Sequence, residues 1–103
     1  MRRLMASRKL HILGGPGGGK SFTAAKLAAR YSLPVCDLDD LFWDRRADHD
    51  GVKARAATRD QALSRSVAEE AWVIEGVYYG WVSPSFERAD LIILLVPSVW
   101  VRH

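Results

Sequence analysis

Gly14-Gly15-Pro16-Gly17-Gly18-Gly19-Lys20-Ser21 is the densest concentration of chemical groups in the chain. It fits the spacing G-x-x-x-x-G-K-[ST] at every position. Glycines in such a run let successive backbone N–H groups turn inward as a nest for phosphate oxygens. A helix opening near Lys20 would aim its positive end at the same oxygens. Lys20 would then reach the β- and γ-phosphates of a nucleoside triphosphate, and the Ser21 hydroxyl would complete a Mg²⁺ shell. The simpler reading is a glycine turn before a helix. Such a turn needs one or two glycines and no Lys-Ser pair, yet five of the eight glycines fall between Gly14 and Gly19. The dinucleotide fingerprint G-x-G-x-x-G occurs nowhere in the chain, so a nicotinamide or flavin dinucleotide is not the expected ligand. These residues point to a nucleoside triphosphate with Mg²⁺.

Carboxylates supply the second group of candidates. Asp37-Leu38-Asp39-Asp40 closes an apolar segment, at the end of a strand where ligands bind in open α/β sheets. Residues i and i+2 of an extended segment share a face, so Asp37 and Asp39 are expected to point together. One would hold a water of the Mg²⁺ shell, and the other would accept a proton from a substrate hydroxyl. The competing role is N-capping of a short turn through Leu41-Phe42-Trp43. Glu75, just before Gly76, would face Mg²⁺ through water or else end a strand in solvent. Asp90 precedes a strand at its opposite end and reads as a cap or surface charge.

Residues 44–66 carry six basic and four acidic side chains. Arg45, Arg46, Lys53, Arg55 and Arg59 could receive an anionic acceptor such as a nucleotide or sugar phosphate, although a solvated face explains each arginine equally simply. Trp43, Tyr78, Tyr79 and Trp81 gather near the same region; core packing is the simpler role for each and ring stacking the alternative. His11, His49 and His103 have no partner at ligand spacing.

Positioning these groups requires a particular alternation of elements. Lys9 to Leu13 reads as a strand that stops at the glycines. Ala24, Leu27, Ala28 and Tyr31 then recur at helical spacing, with Lys26 and Arg30 opposite. Leu33-Pro34 ends that helix, and Val35 to Leu38 reads as a second strand, giving a parallel crossover unit of about 30 residues. Asp44 to Lys53 is polar and reads as an exposed loop. Ala56 to Glu70 reads as a helix anchored by Leu63 and Val67. Trp72 to Ile74 is a third strand ending at Glu75-Gly76, a helical turn falls at Pro84 to Arg88, and Leu91 to Val96 is a fourth strand. The last two apolar runs are continuous, as in strands covered on both faces. The fold class is α/β, an open parallel sheet with flanking helices.

Composition sets the outer limits. The 103 residues allow one domain, 49% hydrophobic and 26% charged, which excludes a disordered chain. The net charge of +3 suits contact with phosphate but lacks the dense basic stripe of a nucleic-acid binder. A single cysteine, Cys36, excludes an internal disulfide or a cysteine-based zinc site. Leu91 to Val96 is too short to span a bilayer. Met1-Arg2-Arg3-Leu4 has no apolar stretch behind it, so a reducing cytoplasm is the expected location.

Taken together, GGPGGGKS, then KLA, LPV and DLDDLFW, and later WVIEGVYYGWV and ADLIILLVP, resemble the small P-loop kinases related to adenylate kinase. The likeness spans about residues 9–100 and is strongest to the branch labelled DNA topology modulation protein. It implies a P-loop NTPase-type parallel sheet of five strands and transfer of the γ-phosphoryl group of ATP to a nucleotide or other small acceptor. On that resemblance Gly14, Gly15, Pro16, Gly17, Gly18, Gly19, Lys20, Ser21 and Phe22 form the ATP site. Lys20 and Asp39 are the catalytic candidates, with Asp39 on the acceptor side. Ser21, Asp37 and Glu75 serve Mg²⁺, Glu75 standing where many relatives have aspartate. Phe22 replaces a small hydroxyl residue and is expected to alter helix packing more than phosphate contact.

Relatives continue beyond the fourth strand through an arginine-bearing lid and a fifth strand, so residues 1–103 read as one nucleotide-binding domain from the amino-terminal part of a longer kinase fold. Val99 to Arg102 reads as the opening of the next helix. Without lid arginines, transfer would lack donors that contribute 10³–10⁵ in rate in related enzymes. Without the fifth strand, the fourth becomes an apolar edge suited to a homodimer. Two further readings stay open: a nucleotide-binding module without transfer chemistry, and a nucleic-acid-associated NTPase, the latter resting on the basic charge and the family label alone.

Overall fold

Short β-branched and leucine-rich runs alternate with amphipathic segments along the chain, and each run forms a strand in the computed structural model, which describes residues 8–14 and 19–95. Gly15, Pro16, Gly17 and Gly18, and everything from Val96 onward including the helix opening expected at Val99, lie outside the described residues. In chain order the elements are β1 (Lys9–Gly14), α1 (Lys20–Tyr31), β2 (Val35–Asp37), α2 (Leu38–Phe42), α3 (Ala56–Ala68), β3 (Trp72–Gly76), α4 (Ser83–Arg88) and β4 (Leu91–Leu95).

All four strands are parallel, in the order β2-β3-β1-β4. Parallel neighbours need helical crossovers, and the side-chain alternation of the strands sorts those helices onto the two faces. Leu10, Ile12 and Val73 pack with Ala24, Leu27, Ala28 and Tyr31 of α1, and with Leu33. Trp72 and Ile74, one residue out of phase, pack on the other face with Leu38, Leu63, Val67 and Val82. The architecture is therefore α/β, a four-stranded open parallel sheet between helices. β3 is the most enclosed strand, buried at every residue.

The ends of α1 and the loop after α2 follow local rules. Ser32 closes α1 in the left-handed region at φ 54°, and Pro34 follows at once. The 44–53 loop is exposed as expected but is tied at its neck. Trp43 and Lys53 form an antiparallel bridge, and backbone bonds run from Asp44 N–H to the Val52 carbonyl (2.6 Å) and from Ala54 N–H to the Phe42 carbonyl (2.8 Å).

Two expectations require correction. β4 is not covered on both faces. Leu91, Ile93 and Leu95 pack toward α1, but Ile92 and Leu94, which alternate with them, are 48% and 62% exposed. Among the described residues β4 is the sheet edge next to β1. Phe22 does not alter helix packing either: its ring is 67% exposed on the outer side of α1, with the Lys26 ammonium 5.2 Å from its centre. No helix among the described residues is long and apolar enough to cross a membrane.

Candidate functional site

The carboxyl ends of β1, β3 and β2 and the amino end of α1 converge on one place. Gly14 ends β1, and Gly19 caps α1 at φ 79°, a left-handed conformation that suits glycine. Among the described residues no side chain caps α1, and its first backbone N–H groups are directed out of the helix end. Lys20 folds back toward β1, its Cδ 3.5 Å from where a Gly14 Cβ would stand. Ser21 follows on the first turn and donates its hydroxyl to Glu75 Oε2 at 2.7 Å.

Glu75 is 3% exposed, within the central strand, and pairs across the sheet with Asp37 at the end of β2. Burial pushes its carboxyl above the usual range. The neighbouring Asp37 carboxylate adds to that shift, while the Ser21 hydroxyl and Lys20 oppose it. Two carboxylates facing each other under partial burial favour a cation between or beside them. The donor set is a hydroxyl and two carboxylates, hard oxygens that suit Mg²⁺. No group of three or more His, Cys, Asp or Glu side chains gathers as a metal site among the described residues. A Mg²⁺ ion that arrives with substrate phosphates and keeps several waters needs no such cage. Ser21, Glu75 and Asp37 are the residues that would hold it.

Asp37 and Asp39 do not share a face of an extended segment. The strand ends at Asp37, and Asp39 already lies in the first turn of α2. Asp37 caps that helix by accepting the Asp39 backbone N–H at 2.9 Å, so the capping role applies to Asp37 at a turn that begins earlier than expected. The consequence is a division of labour: Asp37 stays beside Glu75, and Asp39 turns toward Tyr78.

Tyr78 is a residue whose part in the site the sequence does not announce. Its hydroxyl donates to Asp39 Oδ1 at 2.5 Å. Its ring stacks on Phe42 (4.8 Å between centres, 25° between planes) and tilts against Trp81 (5.3 Å). Partial burial, and then the Asp39 carboxylate, push the Tyr78 hydroxyl up to about 12. Composition suggested packing for this tyrosine, and packing accounts for the ring but not for the hydroxyl. Tyr79, by contrast, is 69% exposed.

A cleft of about 560 Å³ opens between α2, the loop neck and α3. Arg45, Arg46, Arg55 and Arg65 line it together with Thr58, Trp43, Asp40 and Asp44. Arg45 lies 3.4 Å from Asp40, with both side chains more than half exposed, and such pairs contribute little. Arg59 turns elsewhere, over the Trp81 ring at 4.7 Å, and Lys53 stands 5.6 Å from the centre of Phe42. Asp90 accepts the backbone N–H groups of Arg8 and Lys9 (2.9 and 3.0 Å) and fixes the far end of β1. His11 is fully buried, its Nδ1 2.6 Å from Ser85 Oγ.

No protein-family model matches the chain, and no curated protein matches it.

Proposed function

We propose that this chain binds Mg·ATP at the 14–21 segment and transfers the γ-phosphoryl group to a small anionic acceptor, a nucleotide or another phosphate-bearing molecule. One observation carries the reading. The Lys-Ser pair of the glycine motif lies at the amino end of α1, where Ser21 is hydrogen-bonded to a buried carboxylate from the parallel strand β3. A glycine turn with no ligand has no use for a buried, pKa-raised glutamate aimed at the serine.

The residues divide the work. Backbone N–H groups at the start of α1 and the Lys20 ammonium bind and orient the triphosphate. Ser21, Glu75 and Asp37 hold Mg²⁺, which when bound supplies positive charge to the phosphates. Asp39 accepts the proton of the acceptor hydroxyl. Arginines of the cleft beside α2 and α3 attract an anionic acceptor through forked, charge-assisted hydrogen bonds.

Calorimetric titration of Mg·ATP into the chain, beside a Lys20→Ala control, tests the binding half. Saturable binding that disappears in the control is the expected result; equal binding by both chains, or none by the folded chain, removes the proposal. Transfer is tested with γ-labelled ATP and a panel of nucleosides and nucleoside monophosphates. Binding without labelled product would leave a nucleotide-binding module.

A further inference from the structure

The two aspartates nearest the phosphate segment are held in different ways. Asp37 is fixed by the backbone that it caps. Asp39 sits on a helix of only five residues, half-buried, and the one hydrogen bond of its carboxylate to a described side chain comes from Tyr78. We infer that Tyr78 is a positioning residue for phosphoryl transfer, its hydroxyl gripping Asp39 Oδ1 so that Oδ2 is the oxygen presented to the acceptor. The inference rests on the kinase reading above and assigns a task to a residue that reading does not use.

Three features make Tyr78 suited to this task. It lies two residues beyond β3, so its backbone is anchored to the most buried strand of the sheet. Its ring packs against both Phe42, the last residue of α2, and Trp81, whose rings lie 6.3 Å from each other, so the three form one cluster. Ring and hydroxyl thus both engage α2, three residues apart, and fix the helix as well as the carboxylate. The phenol also keeps its proton, since its hydroxyl titrates only near 12. It remains a donor throughout the range in which Asp39 must act as an acceptor.

In the step this geometry serves, the acceptor's hydroxyl oxygen forms a bond to the γ-phosphorus while the bond from that phosphorus to the β–γ bridging oxygen breaks. The bonding electron pair leaves with ADP, and the acceptor's proton passes to Asp39 Oδ2. A general base is effective only when held within hydrogen-bond reach, and a displacement of about 1 Å can cost about 10²-fold. A carboxylate with one oxygen tied can offer the other in one orientation.

The experiment uses Tyr78→Phe, Asp39→Asn and the double variant. Each is assayed with γ-labelled Mg·ATP and the panel of nucleosides and nucleoside monophosphates. Tyr78→Phe is expected to lower kcat about 10- to 100-fold, with KM for Mg·ATP unchanged and the Phe42 stack retained. The double variant should match Asp39→Asn alone, because a residue that acts only through Asp39 has nothing left to position. Wild-type kcat in Tyr78→Phe, or losses that multiply in the double variant, would overturn the inference. A second readout needs no acceptor: side-chain NMR couplings should show Asp39 χ1 in one rotamer in the parent chain and averaged in Tyr78→Phe. An unchanged single rotamer also overturns it. Failure of the underlying kinase reading looks different, because the unsubstituted chain itself would then transfer no label.

Discussion

On the proposed kinase reading the site has a phosphate side and an acceptor side, and the chain builds them by different means. On the phosphate side, Lys20, Ser21, Glu75 and Asp37 belong to strand ends or to the first turn of a twelve-residue helix. Glu75 is buried and its neighbours are paired residue by residue across the sheet. On the acceptor side, Asp39 rides on a five-residue helix, and the arginines project from a loop neck and from the outer surface of α3. The first side is fixed by the core. The second is fixed by a hydroxyl and a cluster of rings, so changes there should disturb the sheet less.

The sharpest test of that contrast is Glu75→Gln. The side chain keeps its shape and can still meet Ser21, but it loses the negative charge. A metal-orienting group of this kind typically contributes 10- to 100-fold in metal affinity, so Mg²⁺-dependent ATP binding should fall by about that factor while Mg²⁺-free binding changes little. Equal loss in both titrations would mean that Glu75 serves packing alone, and the phosphate side would lose its distinction.

Gly76→Ala joins the two sides. A Cβ at position 76 would lie 2.8 Å from both Cβ and Cδ1 of Leu38, the buried first residue of α2. Leu38 Cβ is fixed to the α2 backbone, so the overlap is relieved only by parting α2 from β3, which should cost about 1–3 kcal/mol in chemical denaturation and displace Asp39 relative to Glu75. A stable variant with unaltered transfer would show that α2 adapts freely.

Much of the phosphate side was legible in sequence, because its rules are local. The periodicity of Ala24, Leu27, Ala28 and Tyr31 and the apolar run ending at Glu75 each specify an element from neighbouring residues. The acceptor side was less legible. Asp37 and Asp39 look like a shared face until α2 begins one residue after Asp37, and nothing within 30 residues of Asp39 announces Tyr78. The exposed half of β4 was less legible for a related reason: Leu91 to Leu95 is equally apolar at every position, so the sequence does not distinguish the face that α1 covers from the face left exposed.

Acidification should loosen the platform under the phosphate side. His11 lies in β1 three residues before Gly14, buried against Ser85 and Phe86. Burial lowers its pKa from 6.5 to about 4, so the folded state holds it neutral. Stability from this group is complete above pH 6.5 and is lost as pH falls toward 4, because the unfolded chain takes up the proton first. Unfolding at pH 5 should be easier than at pH 7 by about 2 kcal/mol from this residue, and His11→Gln should flatten that slope. An unchanged slope would place the pH sensitivity elsewhere.

The smallest effect expected is at the arginine cleft. Arg55 and Arg65 are exposed and form no ion pair with another described residue, so replacing either by alanine should change stability by no more than about 0.5 kcal/mol. Each should nevertheless raise the KM of an anionic acceptor, by about tenfold if it makes one charge-assisted bond to phosphate. Mg·ATP affinity and kcat should stay as they were, because the charge contributes to holding the acceptor and not to the reacting centre. Lysine at position 55 should recover part of the loss, since it restores the charge but not the fork. A drop in kcat with KM unchanged would instead place these arginines beside the transferred phosphoryl group, and the separation between a rigid phosphate side and an adaptable acceptor side would fail at its outermost residues.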